Sequence, residues 1–166
     1  MKQDELFYYI ATSMLQEVGP IKAKLLISYL GSPELIFKGK PSQISKIPNI
    51  GPTVVKEIKE NNVLALAEQE LAYIEKNNIK TLVYTEDEYP YRMKNCEDAP
   101  LLFYYKGDMD FNTSKFISIV GTRTATDYGR QCCKQLIQDI KHHNPTIVSG
   151  LAFGNDSCAH REALSA

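Results

Sequence analysis

Hydrophobic residues recur at three- and four-residue intervals through the first part of the chain, which is the spacing of amphipathic helices. Between residues 4 and 30 the repeat includes Leu6, Ile10 and Met14, and Gly19-Pro20 interrupts it once. Proline fits the first turn of a helix but not its interior, so this dipeptide marks the start of a second helix. The stretch therefore predicts two helices joined by a tight turn.

Further helices are predicted beyond this pair. Gly31-Ser32-Pro33 indicates a helix end and a new start, with Ser32 as the N-cap. A short helix is predicted at 42–47 and a longer helical stretch at 53–76. The periodicity of the longer stretch falters at Asn61-Asn62, so the pattern leaves open whether one helix or two form there.

After residue 78 the pattern changes to short apolar runs, which are typical of β-strands. The predicted strands cover 80–84, 101–105, 116–120 and 146–149. A short helix or turn begins at 89, and longer helices are predicted at 126–142 and from 156 to the end. One apolar stripe marks the first of these longer helices: Tyr128, Cys132, Leu136, Ile137 and Ile140. Because a helix separates the last two strands, they should lie parallel, with a right-handed crossover.

The last two strands each end in a glycine-bearing loop that leads into a helix. The loops contain Gly121-Thr122-Arg123 and Ser149-Gly150-Leu151-Ala152-Phe153-Gly154. Parallel neighbours place such loops at the carboxyl edge of the sheet, where open α/β sheets bind ligands. Glycine lets another molecule approach the backbone closely, and helix N-termini present free N–H groups to anions. We therefore expect both loops to build one phosphate-binding site.

Side-chain roles follow from this expected site. We expect the Arg123 guanidinium to contact a phosphate, the alternative being a surface ion pair with a neighbouring acid. The hydroxyls of Thr122 and Ser149 should bond the same phosphate or cap the adjacent helices. Asp156 should cap the last helix and pair with His160, four residues later, so that both support the loop. The expected phosphate-binding set is Gly121, Thr122, Arg123, Ser149, Gly150, Ala152, Phe153 and Gly154.

The helical part contains an internal repeat of an apolar residue, Gly-Pro and a helix. Gly19 and Gly51 stand at equivalent positions, 32 residues apart. This is the shape of a helix–hairpin–helix element, whose backbone amides contact a nucleic-acid phosphate without reading sequence. The candidate DNA contacts are Gly19, Lys22, Gly51 and Lys56. The alternative is a small helical domain with ordinary Gly-Pro turns, because Glu17 and Asn49 stand where the hairpin's first glycine is expected.

Composition and charge narrow the classes of protein. The net charge is −1 over 166 residues, so attraction to a polyanion has to be local. The four cysteines form no C-x-x-C pair, which favours free thiols in a reducing compartment over zinc or disulfides. The first residues lack the apolar region of a signal peptide, and no apolar run approaches the roughly 20 residues of a membrane span. These features predict a cytoplasmic protein without a metal or cofactor. No nucleophile accompanies the Asp156–His160 pair, so we expect no catalytic residue.

Tyrosines of the β part are candidates for stacking on nucleobases. They are Tyr84, Tyr89, Tyr91, Tyr104 and Tyr105. Most of them are expected to lie in the core. Tyr89 and Tyr91 flank Pro90, and we expect these two to be exposed.

The compound loop motif resembles the DNA processing protein A family, also called the DprA/Smf family. The matching residues are Gly121-Thr122-Arg123 and 149–156, followed by Ala159-His160 and Ala163-Leu164 at the family's spacing. Upstream residues also fit the lead-in to the family's Rossmann-like domain: Tyr89-Pro90, Pro100-Leu101-Leu102 and Lys106-Gly107. The resemblance implies an α/β protein. Its N-terminal all-helical (helix–hairpin–helix or SAM-like) domain would cover 1–78, and the first part of a Rossmann-like parallel sheet would cover 79–166.

The resemblance also implies a function. Members bind and protect single-stranded DNA without sequence preference during DNA uptake in natural transformation, load a RecA-type recombinase, and self-associate as homodimers. This chain departs from the family at Asn155, where an apolar residue is usual. The chain also stops at Ala166, while the family's domain continues, so we expect a fragment or a truncated product.

Two other functions remain open from the sequence. A Rossmann-like nucleotide hydrolase of the phosphoribohydrolase type would use the same sheet edge for a nucleotide. Such an enzyme would need a glutamate and a Gly-Gly-rich loop placed against a ribose, and 116–166 shows no such arrangement. The second alternative is a helix–hairpin–helix module that binds DNA by itself. A non-enzymatic DNA-handling protein is the expectation that these residues favour.

Overall fold

The structure, a computed structural model, describes residues 3–60, 62–113 and 115–166. The chain divides into two compact units, Met1–Asn112 and Thr113–Ala166. Seven helices and an antiparallel strand pair are described in the first unit, and two parallel strands with two α-helices in the second. The predicted α/β class is therefore confirmed. Among the described residues, no helix combines the length and apolar character that a membrane span requires.

The first unit starts with six helices. They are α1 (Gln3–Ser13), α2 (Pro20–Leu30), α3 (Glu34–Lys38), α4 (Pro41–Ile44), α5 (Pro52–Glu60) and α6 (Val63–Lys76). The predicted stretch 53–76 is thus two helices, although Asn61 of the predicted break lies outside the described residues. Proline opens α2, as predicted, and the helix ends at Gly31. Gly31 has φ +92°, and its N–H donates to the Ile27 carbonyl at 2.8 Å, which closes the last turn.

A β-hairpin completes the first unit. Its strands are β1 (Lys80–Val83) and β2 (Leu102–Tyr105), which pair antiparallel, with the short helix α7 (Tyr91–Lys94) between them. Val83 and Leu102 belong to the same buried core as residues of α1 and α6. The structure therefore places the boundary between the units after Asn112, whereas the sequence suggested residue 78. The difference arises because the hairpin buries its apolar face against the helices.

The second unit is a β–α–β–α segment. Its elements are β3 (Phe116–Ser118), α8 (Asp127–Ile140), a 3₁₀ turn (Lys141–His143), β4 (Thr146–Val148) and α9 (Asn155–Ser165). Strands β3 and β4 pair parallel, as predicted from the intervening helix. Cys133, Cys158 and Ala159 form a small buried cluster between α8 and α9. Ile119 and Ile147 pack against that cluster.

The apolar stripe predicted on α8 is rotated in the structure. Cys133 and Ile137 are its buried residues, whereas Tyr128, Cys132 and Leu136 are exposed. The apolar residues of α8 extend around more than one face of the helix, so the sequence alone does not decide which face is buried. Contact with α9 buries the face that carries Cys133. The predicted stripe was therefore correct at Ile137 and wrong at the three exposed positions.

The half-buried Glu57 carboxylate fixes the turn between α1 and α2. Both oxygens of Glu57 on α5 accept backbone hydrogen bonds, from Gln16 N–H at 2.6 Å and from Glu17 N–H at 2.9 Å. Lys59, on the same helix, donates to the Phe37 carbonyl at 2.7 Å. Charge-assisted bonds of this kind are about twice as strong as neutral ones. Helix α5 therefore holds two other segments of the unit in place.

We expect Glu57→Ala to lower the free energy of unfolding by about 1–2 kcal/mol, because it leaves two backbone donors without their acceptor. Urea denaturation of the full chain, followed by circular dichroism, measures this loss. Glu60→Ala is the matched control, since Glu60 lies on the same helix in an exposed ion pair with Lys56 at 3.7 Å. That pair should contribute less than about 0.5 kcal/mol. Equal losses in both variants would contradict the clamping role.

Candidate functional site

Two loops meet at the carboxyl edge of the β3–β4 sheet, and we call residues 119–126 and 149–154 the glycine-loop edge. The Ile119 N–H donates to the Val148 carbonyl at 2.9 Å. The Ser149 hydroxyl donates to the Ile119 carbonyl at 2.6 Å. These bonds continue the strand pairing up to the point where the loops begin, so the two loops start side by side.

Gly154 brings the second loop into backbone contact with the first. Its φ is +90°, a conformation that residues with a side chain rarely adopt. A Cβ at this position would overlap the carbonyl oxygens of Thr122 and Arg123. The Asn155 N–H donates to the same Thr122 carbonyl at 3.2 Å. Glycine at 154 is therefore what lets the loops converge.

Asn155, where the resembled family has an apolar residue, fills the space beside Gly121. A Cβ on Gly121 would overlap the Asn155 side chain. Within the described part of the chain, the buried Oδ1 of Asn155 accepts no hydrogen bond. Asn155 itself is the first residue of α9. Besides Gly154, Leu151 of this loop has a left-handed backbone, with φ +56°.

The backbone amides of the glycine-loop edge fall into two sets. The N–H groups of Gly150, Asn155 and Ser157 donate to protein acceptors, namely the Asp156 carboxylate and the carbonyls of Thr122 and Ala152. The N–H groups of 121–123 and 151–154 donate to no acceptor among the described residues. The loops thus carry these open donors, whereas two of the first three amides of α9, those of Asn155 and Ser157, are already bonded within the protein.

Arg123 is exposed at the glycine-loop edge. Its guanidinium forms no ion pair with a carboxylate of the described residues, whereas Arg130 pairs with Asp127 at 3.1 Å. The alternative interpretation of Arg123, a surface ion pair with a neighbouring acid, is therefore not what the structure shows. A cation beside open amides suits an anionic ligand.

The two hydroxyls have structural partners. Thr122 Oγ1 donates to the Thr124 carbonyl at 3.0 Å, and Ser149 Oγ donates to Ile119 as described above. Neither caps a helix, because Thr126 caps α8 by accepting from the Gly129 N–H at 3.1 Å. The hydroxyls of Thr122 and Ser149 therefore shape their loops and keep only acceptor capacity for a ligand.

Asp156 supports the second loop by a hydrogen bond to its backbone and does not cap α9. The N-cap of α9 is Gly154. Asp156 is buried, with 6% of its surface exposed, and its Oδ2 accepts from the Gly150 N–H at 3.2 Å. The expected bond to His160 does not form: among the described residues, the His160 imidazole has no side-chain hydrogen bond and no ion pair. The prediction of a cap was wrong because a tertiary acceptor role competes with the local one.

Apolar side chains at the glycine-loop edge were missed at the sequence level. Phe153 is 85% exposed, Val120 is 79% exposed and Leu151 is 74% exposed. Phe153 was included in the expected phosphate-binding set, with no role stated for its ring. Its position next to Gly154, in a loop without secondary structure, was the available signal that its ring would point away from the core.

Cys133, in the buried cluster of the second unit, is not a nucleophile at neutral pH. Burial, together with the nearby Cys158, raises the pKa of Cys133 to about 11. A thiol with so high a pKa stays protonated near pH 7. In the segments 3–60, 62–113 and 115–166, no three His, Cys, Asp or Glu side chains converge closely enough to hold a metal ion.

Only some of the candidate DNA contacts in the helical repeat are free of other interactions. Gly19 and Gly51 both face open space. Lys22 donates to the Glu17 carbonyl at 2.9 Å, and Lys56 forms the ion pair with Glu60. At the first turn of the repeat, Glu57 already occupies the Gln16 and Glu17 amides. A phosphate would have to displace that carboxylate, so the first turn does not offer its amides as the hairpin motif requires.

The tyrosines expected to stack on bases lie in the first unit. Tyr89 is fully buried, and its hydroxyl donates to the Pro100 carbonyl at 2.7 Å, so the prediction that it is exposed was wrong. Tyr91 is exposed, as predicted. Burial raises the pKa of Tyr104 to about 12. None of these rings belongs to the unit that carries the glycine-loop edge.

The chain is similar in sequence to one protein family and to several of its relatives. Residues 80–166 match the family model of DNA recombination-mediator protein A. Protein Smf of Synechocystis sp. is 29% identical over 170 residues, which cover 99% of this chain and 42% of that protein. DNA processing protein DprA of Bacillus subtilis is 32% identical over 151 residues, which cover 84% of this chain and 51% of that protein.

The fold also matches a solved structure. The X-ray structure of DNA processing protein A (DprA) from Streptococcus pneumoniae superposes with a TM-score of 0.67 at 24% sequence identity. The match covers 99% of this chain and 54% of that one. The chain therefore spans about half the length of the relatives that match most of it.

Proposed function

The chain belongs to the DNA recombination-mediator protein A family, and on that premise we propose that it binds single-stranded DNA through backbone phosphates, without reading sequence. The observation that carries this proposal is the set of open amides at 121–123 and 151–154, with the unpaired Arg123 beside them. Every nucleotide presents the same phosphate, so contacts of this kind do not discriminate between bases.

Further parts of the proposal rest on the family alone. We place the binding in DNA processing during natural transformation, where a bound strand is protected and passed to a RecA-type recombinase in the cytoplasm. We also propose that the protein self-associates as a homodimer. The description of the family, DNA recombination-mediator protein A, and the name of the Bacillus subtilis relative, DNA processing protein DprA, support a role in DNA processing and recombination.

A titration against labelled oligo-dT tests the binding, with mononucleotides tested in parallel. We expect oligo-dT to bind with an affinity that falls as salt rises, because phosphate contacts release counterions. We expect the mononucleotides to be recovered unchanged. Absence of oligo-dT binding, or hydrolysis of a nucleoside monophosphate, would overturn the proposal and favour a nucleotide hydrolase.

We expect Arg123→Ala to weaken oligo-dT binding by about tenfold, since it removes one charge-assisted phosphate contact. The slope of log affinity against log salt should become shallower by about 0.7, the value for one contact to a single strand. Fluorescence anisotropy over a series of salt concentrations measures both quantities.

Lys115→Ala is the matched control for Arg123→Ala. It removes the same charge from the same unit, but Lys115 precedes β3 and donates to the His143 carbonyl at 3.0 Å. Lys115 therefore lies at the amino edge of the sheet, away from the glycine loops. Equal losses in the two variants would show that overall charge, rather than the glycine-loop edge, holds the strand. Unchanged binding in both would instead favour the helical unit as the DNA contact.

A further inference from the structure

The side chain of Phe153 has no use in phosphate binding, yet it is almost fully exposed at the glycine-loop edge. Its ring is 85% exposed, and it directly precedes Gly154, the residue that abuts the carbonyls of Thr122 and Arg123. Val120 and Leu151, on the two loops, are exposed to a similar degree. The edge therefore combines open amides and a cation with apolar side chains.

A phenyl ring in water is an unfavourable arrangement. Burying such a side chain fully is worth about 1.5–3 kcal/mol, so a ring left at a loop tip gains by contact with another molecule. Clustered exposed apolar side chains, rimmed by polar groups, mark binding sites. The backbone at Leu151 adds strain, because φ is +56° at a residue with a branched side chain. The Leu151 side chain is 74% exposed, two residues before Phe153 in the sequence.

We propose that the Phe153 ring stacks on a nucleobase of the strand whose phosphates the two glycine loops hold. This inference rests on the proposed function and deepens it. The open amides and Arg123 can bind a phosphate, and the flat apolar ring can stack on the face of a base. The glycine-loop edge therefore suits both the phosphate and the base of a nucleotide. In a duplex the base faces are covered by their neighbours. The ligand selected by this combination is therefore an unpaired strand.

The tyrosines that were candidates for base stacking lie in a different unit of the chain from Phe153. Those tyrosines belong to the unit Met1–Asn112, whereas the loops belong to Thr113–Ala166. Phe153 stands one residue from the loop contact itself. Stacking on aromatic rings tolerates any base, which is consistent with binding that does not read sequence.

Two oligonucleotides of equal length separate stacking from phosphate binding. One is oligo-dT, and the other is an abasic strand with the same number of phosphates. We expect the full chain to prefer oligo-dT by about tenfold, and Phe153→Ala to abolish the preference without changing the affinity for the abasic strand. Phe153→Tyr keeps the ring and should keep the preference.

Leu164→Ala is the matched control, because Leu164 is an equally exposed apolar residue in the last turn of α9, at the far end from the loops. It should leave the preference unchanged. Equal affinity of the wild-type chain for both strands would overturn the stacking proposal and leave the phosphate contacts standing. Failure to bind either strand would overturn both proposals. A change in self-association with Phe153→Ala, without a change in the preference, would assign the ring to a protein contact and overturn stacking.

Discussion

Gly154→Ala is expected to lower the free energy of unfolding of the second unit by about 3–5 kcal/mol and to abolish binding of oligo-dT. Two effects add up at this position. A side chain is strained at φ +90°, and the new Cβ would overlap the carbonyl oxygens of Thr122 and Arg123. The loops would have to separate, because the overlapped atoms are backbone. Amide hydrogen exchange in a urea series, resolved by peptide, measures the unfolding free energy of Thr113–Ala166.

Two other glycines separate these effects. Gly129→Ala lies in the same unit, on α8, where an added Cβ would make ordinary contacts of 3.4 Å with Thr126 Oγ1. It should be neutral or stabilising by up to about 1 kcal/mol. Gly31→Ala shares a φ near +90° but has open space around it, so it should lose about 1–2 kcal/mol in the first unit. A loss at Gly154 no larger than that at Gly31 would contradict the claim that the loops touch.

Asp156→Ala is expected to lower the free energy of unfolding of the second unit by about 2–3 kcal/mol. The carboxylate is buried and accepts the Gly150 N–H, so its removal loses a charge-assisted bond and leaves unfilled space. The second loop should also exchange its amides faster, since Gly150 loses its anchor. The same exchange experiment reports both effects.

Asp156→Asn and Asp139→Ala are the controls for this prediction. Asparagine keeps an acceptor oxygen and nearly the same volume, so it should recover most of the loss. Asp139 is an exposed acid of the same unit, which accepts from Gln135 Nε2 at 2.8 Å, and its removal should change stability by less than about 0.5 kcal/mol. If Asp156→Asn is as unstable as Asp156→Ala, the hydrogen bond to Gly150 is not the source of the effect.

The order of elements and the location of the site could be predicted from local patterns. Proline and glycine act on the residues beside them, so the start of α2 and its end at Gly31 follow from the sequence. The parallel pairing of β3 with β4 follows from the helix between them. Parallel pairing in turn places both glycine loops at one edge, which is where the structure has them.

The features that the sequence did not predict correctly depend on contacts that only the folded chain provides. Asp156 is a good N-cap residue by type, but the Gly150 amide is a competing partner that only the folded loop provides. Tyr89 is buried because its hydroxyl reaches the Pro100 carbonyl. The clamp of Glu57 on the amides of Gln16 and Glu17 spans about 40 residues, and no local pattern indicates it.

The central claim is that the open amides of the two loops hold the phosphates of an unpaired strand. The most direct measurement is the change of backbone amide chemical shifts, by NMR on the full chain, as oligo-dT is added. We expect the largest changes at 121–123 and 151–154, and small ones at the amino edge around Lys115. Changes confined to the helices of the first unit, with the loop amides unmoved at saturation, would contradict the claim.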